Sequence, residues 1–174
     1  MKSSRGLTSK LSPFALRFLN WLLVLTLILP WLVGVGQAST TIVVSSTEDI
    51  KKGNDGRCSL REAIIAANSD KQSGGKPGEC AAGSGADTII LEARTYVLSR
   101  TDNGNEDAAT TGDLDITGDL TIIIEGPGAT IDANGITDRA FQILSGKVTI
   151  EGVTITKNGG VVAGDGGGIH NSGD

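Results

Sequence analysis

The chain has 174 residues, of which 39% are hydrophobic and 20% are charged, and this composition suits about one folded domain. The formal charge of −5 is divided unevenly, because the first 38 residues hold four basic and no acidic residues and the remainder carries −9. An acidic remainder disfavours nucleic acid and anionic lipid as partners, since both need clustered Lys and Arg. The composition also excludes a disordered acidic tail and indicates no specific activity.

Residues 1–38 have the three-part pattern of an export signal. A basic region precedes the apolar run 18–33, and the small-residue sequence Gly36-Gln37-Ala38 follows it. We expect cleavage after Ala38. An uncleaved anchor is the alternative, but Asn20 interrupts the run, which is shorter than the roughly 20 apolar residues that span a bilayer. The pattern therefore predicts a secreted or cell-surface protein with no membrane insertion after cleavage.

Residues 39–86 are predicted to form an N-terminal cap that contains both cysteines, Cys58 and Cys80. In an exported chain such a pair favours a disulfide, which would stabilise the fold by roughly 3 kcal/mol if the Cα atoms come within about 7 Å. Neither cysteine belongs to a CxxC or His-rich pattern, so a metal site is less favoured. Free buried thiols stay open as an alternative.

A short amphipathic helix is predicted over residues 59–68. Ser59 and Glu62 have the S-x-x-E spacing of a helix-capping box. One helical face is apolar and small: Leu60, Ala63, Ile64 and Ala67. A helix of two to three turns is not stable alone, so it must pack against another element. The Gly- and Ser-rich segment 69–86 is typical of a surface loop.

The remaining periodicity indicates short strands rich in β-branched residues, separated by Gly, Asn and Asp clusters with turn chemistry. The predicted strands are Thr41–Val44, Thr88–Leu91, Thr95–Leu98, Leu120–Ile124, Ala140–Leu144, Lys147–Ile150 and Val153–Thr156.

A repeat with a period of 28 and 27 residues connects these strands. It is marked by Ile116-Thr117-Gly118, Leu144-Ser145-Gly146 and Asn171-Ser172-Gly173, and Leu120-Thr121-Ile122 matches Val148-Thr149-Ile150 at the same offset of 28. A fixed period in this range is typical of solenoids, in which each unit buries its apolar face against its neighbours. We therefore expect Leu120 and Val148 to be neighbours on adjoining parallel strands.

The predicted fold class is all-β, a parallel β-helix over residues 87–174 whose N-terminal end is closed by the helix of residues 59–68. Short strands are also compatible with an antiparallel sandwich. A repeat in which the apolar positions recur at the same offset as the glycines argues against that alternative. The chain ends where the earlier repeats continue into a strand. We therefore expect the stack to be truncated and to continue through further turns of its own chain.

The hexapeptide Cys58-Ser59-Leu60-Arg61-Glu62-Ala63 resembles the CSLREA domain of exported bacterial proteins. Downstream, Gly167-Gly168-Ile169 with Asn171 resembles a repeat of right-handed parallel β-helix proteins, including polymorphic outer-membrane proteins and pectin-lyase-like chains. The resemblance covers residues 41–174. It implies a right-handed β-helix at the cell surface or outer membrane and names no reaction.

Candidate sites are few, and no catalytic residue is identified. Asp113, Asp115 and Asp119 are weak candidates for a calcium site because carboxylate oxygens suit Ca²⁺, although their spacing fits no complete calcium loop. The acidic loop 102–107 is a similar case. Solvated surface charge is the simpler explanation for both. His170, the only histidine, follows a glycine run and is more typical of a turn or of one repeat of the solenoid than of a general base.

Three functions stay open. The favoured one is the N-terminal capping part of an adhesin or surface-binding protein with a glycan or cell-surface ligand, and a purely structural cap is close to it. The alternative is a polysaccharide lyase or hydrolase that acts on acidic glycans. Such an enzyme needs a cation beside an acid cluster, for which Arg139 and Lys147 are the nearest candidates.

Overall fold

The computed structural model describes residues 38–101, 106–157 and 167–173. The predicted signal peptide, residues 1–38, lies outside these ranges except for Ala38. In the part of the chain that is described, no helix is long and apolar enough to cross a bilayer.

Parallel strands and one short helix make up the described fold. The elements are β1 (Thr41–Val43), α1 (Leu60–Ser69), β2 (Asp87–Glu92), β3 (Thr95–Val97), β4 (Leu114–Ile116), β5 (Leu120–Glu125), β6 (Ala129–Asp132), β7 (Phe141–Ile143), β8 (Val148–Ile150), β9 (Val153–Thr156) and β10 (Ile169–Asn171). The all-β, parallel-strand class predicted from the sequence is therefore confirmed.

The strands form three parallel sheets that the chain visits in a fixed order. Sheet 1 has the order β1-β2-β5-β8, sheet 2 has β3-β6-β9, and sheet 3 has β4-β7-β10. From β2 onward, each set of three consecutive strands places one strand in each sheet, and we call such a set a circuit. Circuits 1, 2 and 3 are β2–β4, β5–β7 and β8–β10.

The register agrees with the phase of the sequence repeat in sheet 1. Leu120 pairs with Val148 and Ile122 with Ile150, all in parallel strands, as predicted. The repeat glycines also meet, because a Cβ atom on Gly146 would overlap the backbone of Gly118. Gly146 has φ +89°, which glycine adopts without strain.

The period is not constant around the whole circuit. Asp87 pairs with Leu120, 33 residues later, whereas Ala129 pairs with Val153, only 24 residues later. Strands β4, β6 and β10 were not among those predicted, because their polar residues and the neighbouring Gly and Asn residues resemble turns. Loop length, which the strand pattern does not constrain, therefore sets the length of each circuit.

The core is a set of side chains stacked between circuits. Ile42, Ile89, Ile122 and Ile150 occupy one register position on the four strands of sheet 1, and the first three are fully buried. The strands lie about 4.8 Å apart, so equivalent side chains contact one another directly. The residue immediately before each of these isoleucines is a threonine, and the threonines are also paired in register: Thr41, Thr88, Thr121 and Thr149.

Helix α1 packs against β1, β2 and β4, and so contacts strands of two sheets. The predicted disulfide between Cys58 and Cys80 is present, with a Cα–Cα distance of 4.7 Å. Both cysteines are buried and join the residue before the N-cap to the loop that follows α1. The bridge therefore ties the loop that follows α1 to the start of the helix.

Candidate functional site

The start of α1 is held by side chains of the hexapeptide 58–63. Ser59 Oγ accepts a hydrogen bond from the N–H of Glu62, and the carboxylate of Glu62 accepts one from the N–H of Ser59 at 3.0 Å. The other carboxylate oxygen of Glu62 accepts the N–H of Lys52 at 2.7 Å. These contacts complete a capping box and fix the segment that enters the helix.

Arg61 is the central residue of this region, and its side chain is 0% exposed. Nε donates to Asp49 Oδ1 at 2.5 Å and Nη2 to Asp49 Oδ2 at 3.2 Å. The guanidinium also donates to the carbonyls of Ala109 (2.9 Å), Gly112 (2.8 Å) and Asp113 (3.1 Å). The five donors of the planar guanidinium are thus all used.

Asp49 extends this network to a further segment. Its Oδ2 accepts hydrogen bonds from the backbone N–H groups of Ser99 (2.8 Å) and Arg100 (2.9 Å), which follow β3. Arg61 and Asp49, which we call the clamp, therefore connect α1, the chain after β1, the end of β3 and the loop before β4. A buried ion pair of this kind is costly to break, since removal of one partner leaves a buried charge.

A second group of polar side chains lines a cleft of about 240 Å³ beside sheet 3. We call it the acidic cleft, and its lining residues are Glu106, Asp107, Asp113, Asp138, Arg139, Gln142 and His170. They come from all three circuits, because Asp113 precedes β4, Arg139 precedes β7 and His170 lies in β10.

Arg139 lies at the centre of the acidic cleft. Its Nε donates to Asp138 Oδ1 at 3.1 Å and is 3.5 Å from Asp113 Oδ2. Its Nη1 contacts Nδ1 of His170, which accepts because a guanidinium can only donate. The sequence-predicted cation thus lies beside two carboxylates and the only histidine of the chain.

Two buried carboxyl groups have raised pKa values. Burial, together with the charges of Asp115 and Asp138, raises the pKa of Asp113 to about 7. Burial also raises the pKa of Asp115 to about 6, against a hydrogen bond from the N–H of Ala109 that lowers it. One oxygen of each group, Asp113 Oδ2 and Asp115 Oδ1, has no hydrogen-bond partner.

The three weak calcium candidates do not converge. Asp113 directly precedes β4 and Asp115 lies within it, whereas Asp119 Oδ1 accepts the backbone N–H of Lys147 at 2.7 Å. Within residues 38–101, 106–157 and 167–173, no group of three or more His, Cys, Asp or Glu side chains is arranged to hold a metal ion. The predicted acidic loop 102–107 is described only at Glu106 and Asp107.

The roles of Arg61, Asp49 and Asp138 were not predicted from the sequence. A signal for Arg61 was present, since it shares a helical face with Ile64 and Ile65, where a charge needs a buried partner. No comparable local signal marked Asp49 or Asp138, because each lies in a segment rich in polar residues.

A scan against protein-family models gave no match, and neither did searches of curated proteins and of solved structures. The resemblance of residues 58–63 to the CSLREA domain therefore stays a prediction.

Proposed function

We propose that this chain is the N-terminal capping part of a secreted or cell-surface protein built as a right-handed parallel β-helix. In this proposal α1, the disulfide and the clamp close the first circuit, and the lateral faces of the stack bind a glycan or cell-surface ligand. Export depends on the signal-like pattern of residues 1–38.

The order in which the chain visits its sheets supports the β-helix. Three consecutive circuits place one strand each in sheets 1, 2 and 3, and every pairing between circuits is parallel. Parallel strands need a crossover between them, and here the other two sheets supply it. A coil of stacked circuits satisfies this requirement with short loops.

The single observation that carries the capping role is the clamp. Arg61 projects from α1 and binds both the chain after β1, through Asp49, and three carbonyls of the loop before β4. An uncapped first circuit would expose unpaired strand edges, which favour aggregation. The clamp holds the helix against that end and fixes the chain between β3 and β4 of the first circuit.

Replacement of Arg61 by methionine tests this role. We expect Arg61→Met to lower the free energy of unfolding by about 3–5 kcal/mol, because Asp49 is left buried without its counterion. Amide hydrogen exchange should rise in β2 and β3 as well as in α1, since the cap supports the whole first circuit.

The matched control is Arg94→Met. Arg94 pairs with Glu92 at 2.6 Å, but both side chains are more than half exposed, so its loss should cost less than about 1 kcal/mol. If the two variants melt alike, or if faster exchange in Arg61→Met is confined to α1, the clamp is a local contact and the capping proposal is wrong.

The enzymatic alternative rests on Arg139, which lies beside Asp113 and Asp138. Because the carboxylates of the cleft outnumber its one guanidinium, an acidic glycan would be repelled there. We therefore favour the capping and surface-binding role. Degradation of polygalacturonate by the purified chain, abolished in Arg139→Met, would reverse this order.

A further inference from the structure

We propose that the acidic cleft binds a primary ammonium group on a small polar ligand, such as an amino sugar or a polyamine. The proposal goes beyond the capping role and concerns side chains outside the clamp, since Arg61 contacts Asp113 only through its backbone carbonyl.

One buried carboxylate oxygen in the acidic cleft accepts no hydrogen bond among the described residues. Asp113 is only 3% exposed, yet its Oδ2 accepts no hydrogen bond among the described residues. The nearest cation, Arg139, is 3.5 Å away and directs its Nε–H to Asp138. A buried carboxylate oxygen without a donor is costly, so a ligand that brings an N–H group into the cleft gains free energy there.

The side chains that line the cleft carry an excess of negative charge. Glu106, Asp107, Asp113 and Asp138 line the cleft against a single permanent cation, Arg139. Burial raises the pKa of Glu106, but hydrogen bonds from Thr111, Thr110 and Ala108 outweigh it and keep the pKa lowered. A cationic donor therefore fits the cleft better than a neutral hydroxyl or an anion.

The protonation of Asp113 should be coupled to binding, because its pKa is raised to about 7. The groups that face it are Asp115 in β4, Asp138 and Arg139 before β7, His170 in β10, and Glu106 and Asp107 in the preceding loop. Its pKa of about 7 keeps the carboxyl largely protonated at mildly acidic pH. An ammonium group favours the ionised form, so binding should release a proton below pH 7.

Calorimetric titration of the purified chain with glucosamine and, separately, with putrescine tests the proposal. We expect the affinity for putrescine, which stays cationic throughout, to rise about tenfold between pH 5.5 and pH 8, and proton release to be measurable at pH 5.5 in buffers of different ionisation enthalpy. Binding of glucosamine alone would assign an amino sugar, and binding of both would assign the ammonium group itself.

Asp113→Asn should weaken the binding of putrescine at pH 8 by about tenfold or more and abolish proton release, because it removes the charged acceptor. Glu151→Gln is the control that removes the same charge from an exposed residue outside the cleft, and it should leave both unchanged. The proposal is overturned if no binding occurs at about 10 mM ligand, or if Glu151→Gln weakens binding equally. Equal binding of N-acetylglucosamine or tetramethylammonium, which lack an ammonium N–H, would also overturn it.

Discussion

At the scale of single residues, Arg61 and Asp113 show two outcomes of burying a charge. Arg61 has a carboxylate and three carbonyls around it, so its charge is fully compensated. Asp113 has an oxygen without a hydrogen bond, and the neighbouring carboxylates of Asp115 and Asp138 add to the cost of ionising it. The contacts of Arg61 connect separate segments of the chain. The ionised form of Asp113 is energetically unfavourable at neutral pH.

We expect the stability contribution of Asp113 to depend on pH. Its folded-state pKa of about 7 lies above the ordinary value of 3.8, so the folded state holds a proton that the unfolded state releases. The contribution is therefore complete below about pH 4 and is lost as pH rises through 7. Asp113→Asn should raise the free energy of unfolding at pH 8 relative to wild type by about 2 kcal/mol.

Urea unfolding of both proteins at pH 4 and pH 8 measures this effect. The wild type should lose more stability between the two pH values than Asp113→Asn does. Parallel pH profiles for the two proteins would show that Asp113 is ionised at no cost in the fold.

At the scale of elements, α1 depends on its N-terminal contacts more than on its length. It spans Leu60–Ser69, and its end at Asp70 has left-handed backbone with φ 53°. Ser59 is fully buried, and its Oγ both accepts the N–H of Glu62 and donates to the carbonyl of Ile50 at 2.7 Å. Loss of this hydroxyl would leave two buried backbone groups unpaired.

Ser59→Ala should therefore lower the free energy of unfolding by about 2 kcal/mol. The matched control is Ser69→Ala at the other end of α1, where the exposed hydroxyl donates to the carbonyl of Ile65 within the helix. That change should cost less than about 0.5 kcal/mol. Chemical denaturation of both variants measures the difference, and equal losses would mean that the capping box adds little to the fold.

At the scale of the whole molecule, stability comes from equivalent residues stacked between circuits. Ile122 lies between Ile89 and Ile150 in the register of sheet 1, whereas Ile150 pairs with Ile122 on one side only within the described residues. The inner isoleucine is fully buried and the outer one is partly exposed. Each circuit thus protects the one before it.

Truncation of these two residues should show the effect of position. We expect Ile122→Ala to cost about 3–4 kcal/mol, because it leaves a cavity with neighbours on both sides, and Ile150→Ala to cost clearly less. Thermal melting of the two variants provides the comparison. A larger loss for Ile150→Ala would contradict this dependence on position.

The sequence by itself determined the parallel-strand class, the disulfide, the start of α1 and the pairing of Leu120 with Val148. Each of these follows from local residue spacing or from β-branched residues that recur at the same repeat position. Such patterns can be interpreted without information on which distant segments are in contact. The resemblance to the CSLREA domain indicated that residues 58–63 matter, but not that Arg61 binds Asp49 and the loop before β4.

Only the tertiary structure decided which residues share a site. Asp113, Arg139 and His170 meet because the circuits that separate them have the lengths needed to bring them to one side of sheet 3. Those lengths depend on loops, and the offset between paired strands of successive circuits varies from 24 to 35 residues. Since loop length changes folding free energy only slightly, the strand pattern could not fix it, and the acidic cleft could not be located from the sequence.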